Sequence, residues 1–182
     1  MPGRMVTDVA SAAAPTWPQH VYELLKSRGV TTVGYVPDAG HRVLIELAEN
    51  DPDVVAVPLT TEEEGIGLIA GADLGSGRAV LLLQSSGVGN CVNMLSLVKG
   101  AGFPMLLLVS MRGDFGEGNP WQFAMGEAVE PVLQAMGVRT LRVDAPSDVV
   151  PTVDAAATMV FGGGRAVAVL LTQRLIGAKS FA

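Results

Sequence analysis

Two short segments of this chain carry residue types able to do chemistry. Thr60-Thr61-Glu62-Glu63-Glu64-Gly65-Ile66-Gly67 sets an acidic cluster between an apolar strand and an apolar helix. Gln84-Ser85-Ser86-Gly87-Val88-Gly89-Asn90 follows the next apolar run as a small-residue turn from strand into helix. Open α/β sheets bind ligands outside the carboxyl ends of their strands, where both segments fall. A carboxylate buried there is costly unless a partner group uses its charge or its proton. The pairing points to a cofactor site. Successive helical residues differ by ~100° in direction, so Glu62, Glu63 and Glu64 cannot all face it.

Blander readings compete for the same residues. Acids in a first helical turn are favoured by the macrodipole, at ~0.3–1 kcal/mol each. The serines and glycines of the second segment suit a tight strand-to-helix turn, with Asn90 as a local cap. His41 reads as a helix-surface residue, and Arg112, at a strand end, can pair with Asp114 or Glu117.

Several function classes are excluded. The chain has neither a Gly-x4-Gly-Lys-Ser/Thr loop nor a Gly-x-Gly-x-x-Gly after its first strand, and Gly87-Val88-Gly89 falls short of one. Ser85-Ser86-Gly87 lacks the Gly-x-Ser-x-Gly elbow of a hydrolase. Two His and the single Cys91 lie too far apart for a zinc set. A net charge of -6, with 12 Lys and Arg scattered singly, leaves no basic stripe for nucleic acid. No apolar run is long enough to span a membrane or serve as a signal peptide, and one cysteine gives no disulfide framework. The reading is a cytoplasmic protein with a flexible N-terminus over residues 1–14 and a single domain over residues 15–182.

Six apolar runs must position the reactive segments: Thr32–Val36, Val54–Pro58, Ala79–Leu83, Met105–Val109, Arg139–Val143 and Ala166–Leu171. Most lack alternation, as strands covered on both faces do. Helical spacing recurs between them, from Pro18 to Gly29, His41 to Asn50 and Glu62 to Leu74, and in a helix capped by Ser147-Asp148 that closes at Gly162. Strands alternating with helices predict a three-layer α/β/α sandwich on a six-stranded, mainly parallel sheet. Arg112 to Pro120 is the one long irregular segment, rich in glycine, as functional covers and interfaces are. Apolar residues at 49% against charged residues at 16% suggest an exterior partly covered by another subunit.

The ordered set of segments resembles the pyrimidine-binding (PYR) domain of thiamine-diphosphate enzymes. Within that superfamily it is similar to the alpha subunits of sulfopyruvate decarboxylases and to phosphonopyruvate decarboxylases, from about Pro18 to Leu171. Val36-Pro37-Asp38, Glu62 with Gly71 nine residues on, Gln84 to Asn90, and Met111 to Glu117 carry the resemblance. It implies that Glu62, with Glu63 as the fallback one position on, hydrogen-bonds N1′ of the cofactor's aminopyrimidine and favours its imino tautomer. It implies a proton-transfer role for Asp38 beside the reacting carbons. Ser86, Gly87 and Gly89 would pack against the pyrimidine. Gln84 and Asn90 would make polar contacts to substrate or across an interface, and His41 and Arg112 are the candidates for a second substrate anion.

Members of this family hold magnesium and diphosphate on a Gly-Asp-Gly segment followed by Asn. Here Gly113-Asp114 runs into Phe115, so no metal site is expected in this chain. The resemblance therefore implies half an enzyme, completed by a pyrophosphate-binding (PP) beta subunit that brings the Mg2+, with active sites between chains. The expected reaction is decarboxylation of sulfopyruvate or a similar anionic 2-oxo acid to carbon dioxide and an aldehyde. The alternatives are an acyloin-forming carboligase subunit, a non-catalytic PYR-like partner module and an unrelated flavodoxin-like binding domain.

Overall fold

The computed structural model describes residues 16–178. The expectation of a flexible N-terminus over residues 1–14 lies outside the described residues. Helix α1 (Trp17–Ser27) starts with Pro18 in its first turn, where a missing N–H costs nothing. Its Val21, Tyr22 and Leu25 face inward. Then follow β1 (Thr32–Tyr35), α2 (Arg42–Glu49), β2 (Val55–Pro58), α3 (Glu62–Leu74) and β3 (Ala79–Gln84). After β3 come α4 (Ser85–Cys91), α5 (Ser96–Ala101), β4 (Met105–Ser110), α6 (Phe123–Ala135), β5 (Arg139–Val143), α7 (Pro146–Phe161), β6 (Ala166–Leu171) and the single turn α8 (Gln173–Ile176).

The six strands form one sheet in the order β2-β1-β3-β4-β6-β5, and every neighbouring pair is parallel. Strand side chains alternate between two cores. Leu106 and Leu108 of β4 pack with Val167 and Val169 of β6 beneath α1, α2 and α7. Met105, Leu107 and Val109 face the opposite way, with Leu81, Leu83 and Leu170, beneath α3, α4 and α6. Because both faces are covered, β3, β4 and β6 are apolar at nearly every position. This is the three-layer α/β/α sandwich expected from the sequence.

The path of the chain locates the crevice. From β1 it moves to β2 on one side, then crosses back to β3 on the other, so the topology reverses between β1 and β3. Tyr35, which ends β1, Gln84, which ends β3, and Ser110, which ends β4, bring their following loops to that point.

Three local readings are corrected. The segment Ser85–Cys91 is a helix rather than a turn, so Asn90 lies inside it and is not a cap. Helix α7 begins with Ala145 as its N-cap and Pro146 in its first turn, not at Ser147-Asp148. Helix α6 went unrecognised in the sequence because Gly126 and Pro131 interrupt its pattern. Gly126 has a packing cause: a β-carbon there would run into the backbone of Arg112 and Gly113.

Candidate active site

The three glutamates that open α3 diverge, as helical geometry requires. Glu64 turns back over the helix start and accepts from the backbone N–H of Thr60 (2.8 Å) and Thr61 (3.4 Å). Glu63 is exposed. Glu62 is half-buried, faces α4 and accepts a hydrogen bond from Asn90 Nδ2 at 2.8 Å. Opposite it stands Gly87, where an added β-carbon would overlap the Glu62 carboxyl group. That position is glycine because the carboxylate fills the space a side chain would take. Glu62, not Glu63, is the acid turned toward the seam between α3 and α4.

This seam opens into a cleft of about 590 Å³ whose walls include Glu62, Ser86, Asn90, Trp121 and Met125. Its floor is the glycine pair Gly87 and Gly89, the latter packed so that a β-carbon would lie 3.2 Å from Met125 Sδ of α6. Trp121 on the cleft wall is 84% exposed, and Phe123, at the start of α6, is 41% exposed.

Asp38 caps a 3-10 turn at Ala39–His41 that follows β1, and it gathers donors from three places. It accepts from Gly40 N at 2.9 Å, from Gln84 Nε2 at 3.0 Å and from Ser110 Oγ at 2.6 Å. A smaller recess joins Asp38, Gln84, Ser86 and Glu62, so the two carboxylates share one space. Burial pushes the Asp38 carboxyl upward. The Ser110 hydroxyl, the attraction of His41, the Gln84 amide and the Gly40 N–H together outweigh that, and its pKa lies below the ordinary carboxylate value. The His41 attraction acts only when the imidazole is charged, whereas the three hydrogen bonds favour the charged carboxylate in either state of the ring.

His41 stands differently from its expected place. The ring is 1% exposed, lines neither cleft and lies with Nε2 3.2 Å from the Leu83 carbonyl, while Nδ1 has no hydrogen-bond partner. Burial lowers its pKa more than Asp38 and the backbone carbonyls of Leu83 and Leu108 raise it. The expectation of a surface imidazole, or of one meeting a substrate anion, is corrected: the ring is a neutral core group.

Arg112 pairs with Glu117 through a two-pronged contact, one arm of which is Nη2 to Oε1 at 2.9 Å. Glu117 is 1% exposed, and its carboxyl is held down to about 2 by the Arg112 hydrogen bond. Gln173 locks the same loop: its Oε1 accepts from Asp114 N (3.2 Å) and Phe115 N (3.1 Å), and its Nε2 donates to Glu117 at 2.9 Å. The backbone of Arg112 is tied to Ser85, whose Oγ accepts from Arg112 N at 3.0 Å. Arg112 lines a third recess with Asp38, Gly40 and Ser110. Ser110 and Gln173 escaped the sequence reading. A polar residue closing the apolar strand β4 was the visible signal for Ser110; nothing local marks Gln173.

No protein-family model matches the chain. By structure it is similar to the thiamine diphosphate-dependent 4-hydroxybenzoylformate decarboxylase of Rhodococcus jostii RHA1, at a TM-score of 0.71 and 19% identity, covering 91% of this chain and 32% of that one. The fold is thus that of the thiamine-diphosphate-dependent enzymes, matched over about a third of a longer chain. In sequence it is 33% identical over 142 residues to sulfopyruvate decarboxylase subunit alpha of Methanocaldococcus jannaschii, covering 78% of this chain and 84% of that one. It is also 34% identical over 122 residues to the sulfopyruvate decarboxylase of Methanosarcina acetivorans, of which the match spans 31%. The chain belongs to the sulfopyruvate decarboxylase alpha-subunit family.

Proposed function

We propose that this chain, as one PYR domain over residues 15–182, is the pyrimidine-binding half of a two-subunit decarboxylase. Its substrate would be a short 2-oxo acid with a second anion, sulfopyruvate or a close analogue. One observation carries the reading: Glu62 faces Gly87 across the seam between α3 and α4, at the mouth of an open cleft. An aminopyrimidine needs an acid for its ring nitrogen and a floor without side chains, and these residues fit that need. Glu62 would hold the ring through N1′, with Ser86, Gly87 and Gly89 beneath it. When bound, thiamine diphosphate supplies the nucleophilic carbon and the electron sink for loss of carbon dioxide.

The chain's own groups do the rest. Asn90 orients the Glu62 carboxylate by its 2.8 Å hydrogen bond, leaving the other oxygen for a proton. Asp38, at the far wall of the shared recess, would accept and return the proton that the product aldehyde requires. Arg112 lines the recess beside Asp38 and brings a positive charge near the second substrate anion.

The diphosphate and Mg2+ are assigned to a PP beta subunit. Among the described residues no group of three or more His, Cys, Asp and Glu could hold a metal ion. The exposed Trp121 of the cleft wall and the exposed Phe123 at the start of α6 suit burial against that subunit. We place the assembly in the cytoplasm, in keeping with the free, buried Cys91. Among the described residues no helix is long and apolar enough to cross a membrane.

Co-expression with a PP-type subunit tests the proposal. The purified complex, given thiamine diphosphate and Mg2+, should release carbon dioxide and an aldehyde from sulfopyruvate. Pyruvate should be a poorer substrate. A complex that forms but turns over no anionic 2-oxo acid would overturn the reading.

A further inference from the structure

The donors around Asp38 have a polarity, and it runs outward to the cleft. Gly40 N at 2.9 Å and Gln84 Nε2 at 3.0 Å can only donate. The Ser110 hydroxyl has two acceptors in reach, the Asp38 carboxyl at 2.6 Å and the Leu83 carbonyl at 3.5 Å, and its single hydrogen goes to the nearer. Three donors converge on the carboxyl group, and because donated hydrogen bonds are stronger to a charged acceptor, the arrangement favours its ionised form. The orientation of Gln84 follows. Its NH2 is engaged by Asp38, so its Oε1 faces Ser86, whose hydroxyl donates at 2.8 Å. Ser86 thus spends its one hydrogen inside the network and turns lone pairs toward the space it shares with Glu62.

We propose that Ser110 and Gln84 are positioning residues for the reaction: they hold Asp38 as an ionised proton acceptor and, through Gln84, set Ser86 as a hydrogen-bond acceptor toward the cleft. The part of this that concerns the reaction rests on the proposed decarboxylase function; the charge state and the orientation of the network do not. The other charged and titratable groups that face Asp38 are the buried His41, Arg112 beside the adjoining recess, and Glu62 across the shared one. A depressed Asp38 pKa accords with the geometry.

Carbon-13 NMR of the Asp38 carboxyl in the full chain, titrated with pH, reads the charge state directly. The wild-type group should titrate below the ordinary carboxylate range. Ser110→Ala removes one hydroxyl, and Gln84→Met removes one amide at similar length; each should move the titration upward. Gln84→Glu should move it furthest, since two facing carboxylates cannot both ionise easily. In the assembled enzyme, the acid limb of kcat/KM should rise with the NMR titration. There kcat should drop ~10-fold while KM for the 2-oxo acid stays within ~2-fold, the scale of one hydrogen bond to a charged group. A carboxyl that does not move in either Ser110→Ala or Gln84→Met overturns the proposal. One that moves while the rate profile stays fixed removes these residues, and Asp38, from the reaction but leaves their electrostatic role standing.

Discussion

Glu62 and Gly87 are two halves of one feature, because the carboxylate occupies the volume that a β-carbon at Gly87 would need. If Glu62 exchanges a proton with the cofactor ring, Glu62→Gln keeps the shape and loses the exchange. In the assembled enzyme this variant should lose ~10²-fold or more in kcat, in the range of a positioned acid–base group. Its assembly with the partner, followed by size-exclusion chromatography, should be unchanged. Gly87→Ala makes the complementary test. The added methyl must displace the Glu62 carboxyl, so activity should fall ~10-fold or more. The melting temperature should move by only a few degrees, because α4 itself favours alanine over glycine.

The loop from Arg112 to Asn119 has no regular structure of its own, yet it is held at one point by many bonds. Gln173, 2% exposed at the start of α8, accepts from two of its backbone N–H groups and donates to Glu117. Gln173→Leu should release the loop, seen as faster amide exchange at Asp114 and Phe115 while the sheet stays protected. The loop is also pH-sensitive in a definite direction. The Glu117 carboxyl is depressed from 4.5 to about 2, so its contribution is present above the ordinary carboxylate range and is lost as pH falls through about 2. Below pH 4.5 the pairing with Arg112 should weaken progressively, and amide exchange of the loop, corrected for intrinsic rates, should accelerate before global unfolding.

On the scale of the whole molecule, the parallel sheet is what brings the site together. Asp38 and Ser110 lie 72 positions apart, and they meet because β1, β3 and β4 are parallel neighbours: β3 and β4 end side by side at Gln84 and Ser110, and β1 ends opposite Leu82, so the loop after it reaches them. The centre of that sheet is dry: Leu107 of β4 is 1% exposed and packs beneath α3, α4 and α6. Leu107→Ala should therefore destabilise the chain by ~2–5 kcal/mol in chemical denaturation, with Asp38 and Glu62 losing their relation only on global unfolding. The rim is the opposite case. Trp121, 84% exposed, contributes little to this fold, so Trp121→Ser should leave the melting temperature of the isolated chain nearly unchanged. In the assembly it should weaken association by ~10-fold or more if the partner covers it.

Residue order by itself determined the architecture and marked the acidic cluster Glu62 to Glu64. Most of the six apolar runs lack alternation, as strands covered on both sides do, and acids directly after such a run must sit at the strand ends. Packing between distant segments decided everything finer. The Ser85–Cys91 stretch, poor in helix formers, is helical because α3 and α6 enclose it. The choice of Glu62 over Glu63 came from how α3 is rotated against α4, and the burial of His41 from a turn folded under the ends of β3 and β4. The donors to Asp38 come from its own turn and from the ends of two different strands, β3 and β4. Periodicity records which residues avoid water, whereas hydrogen bonds between strand ends depend on topology, which no local pattern encodes.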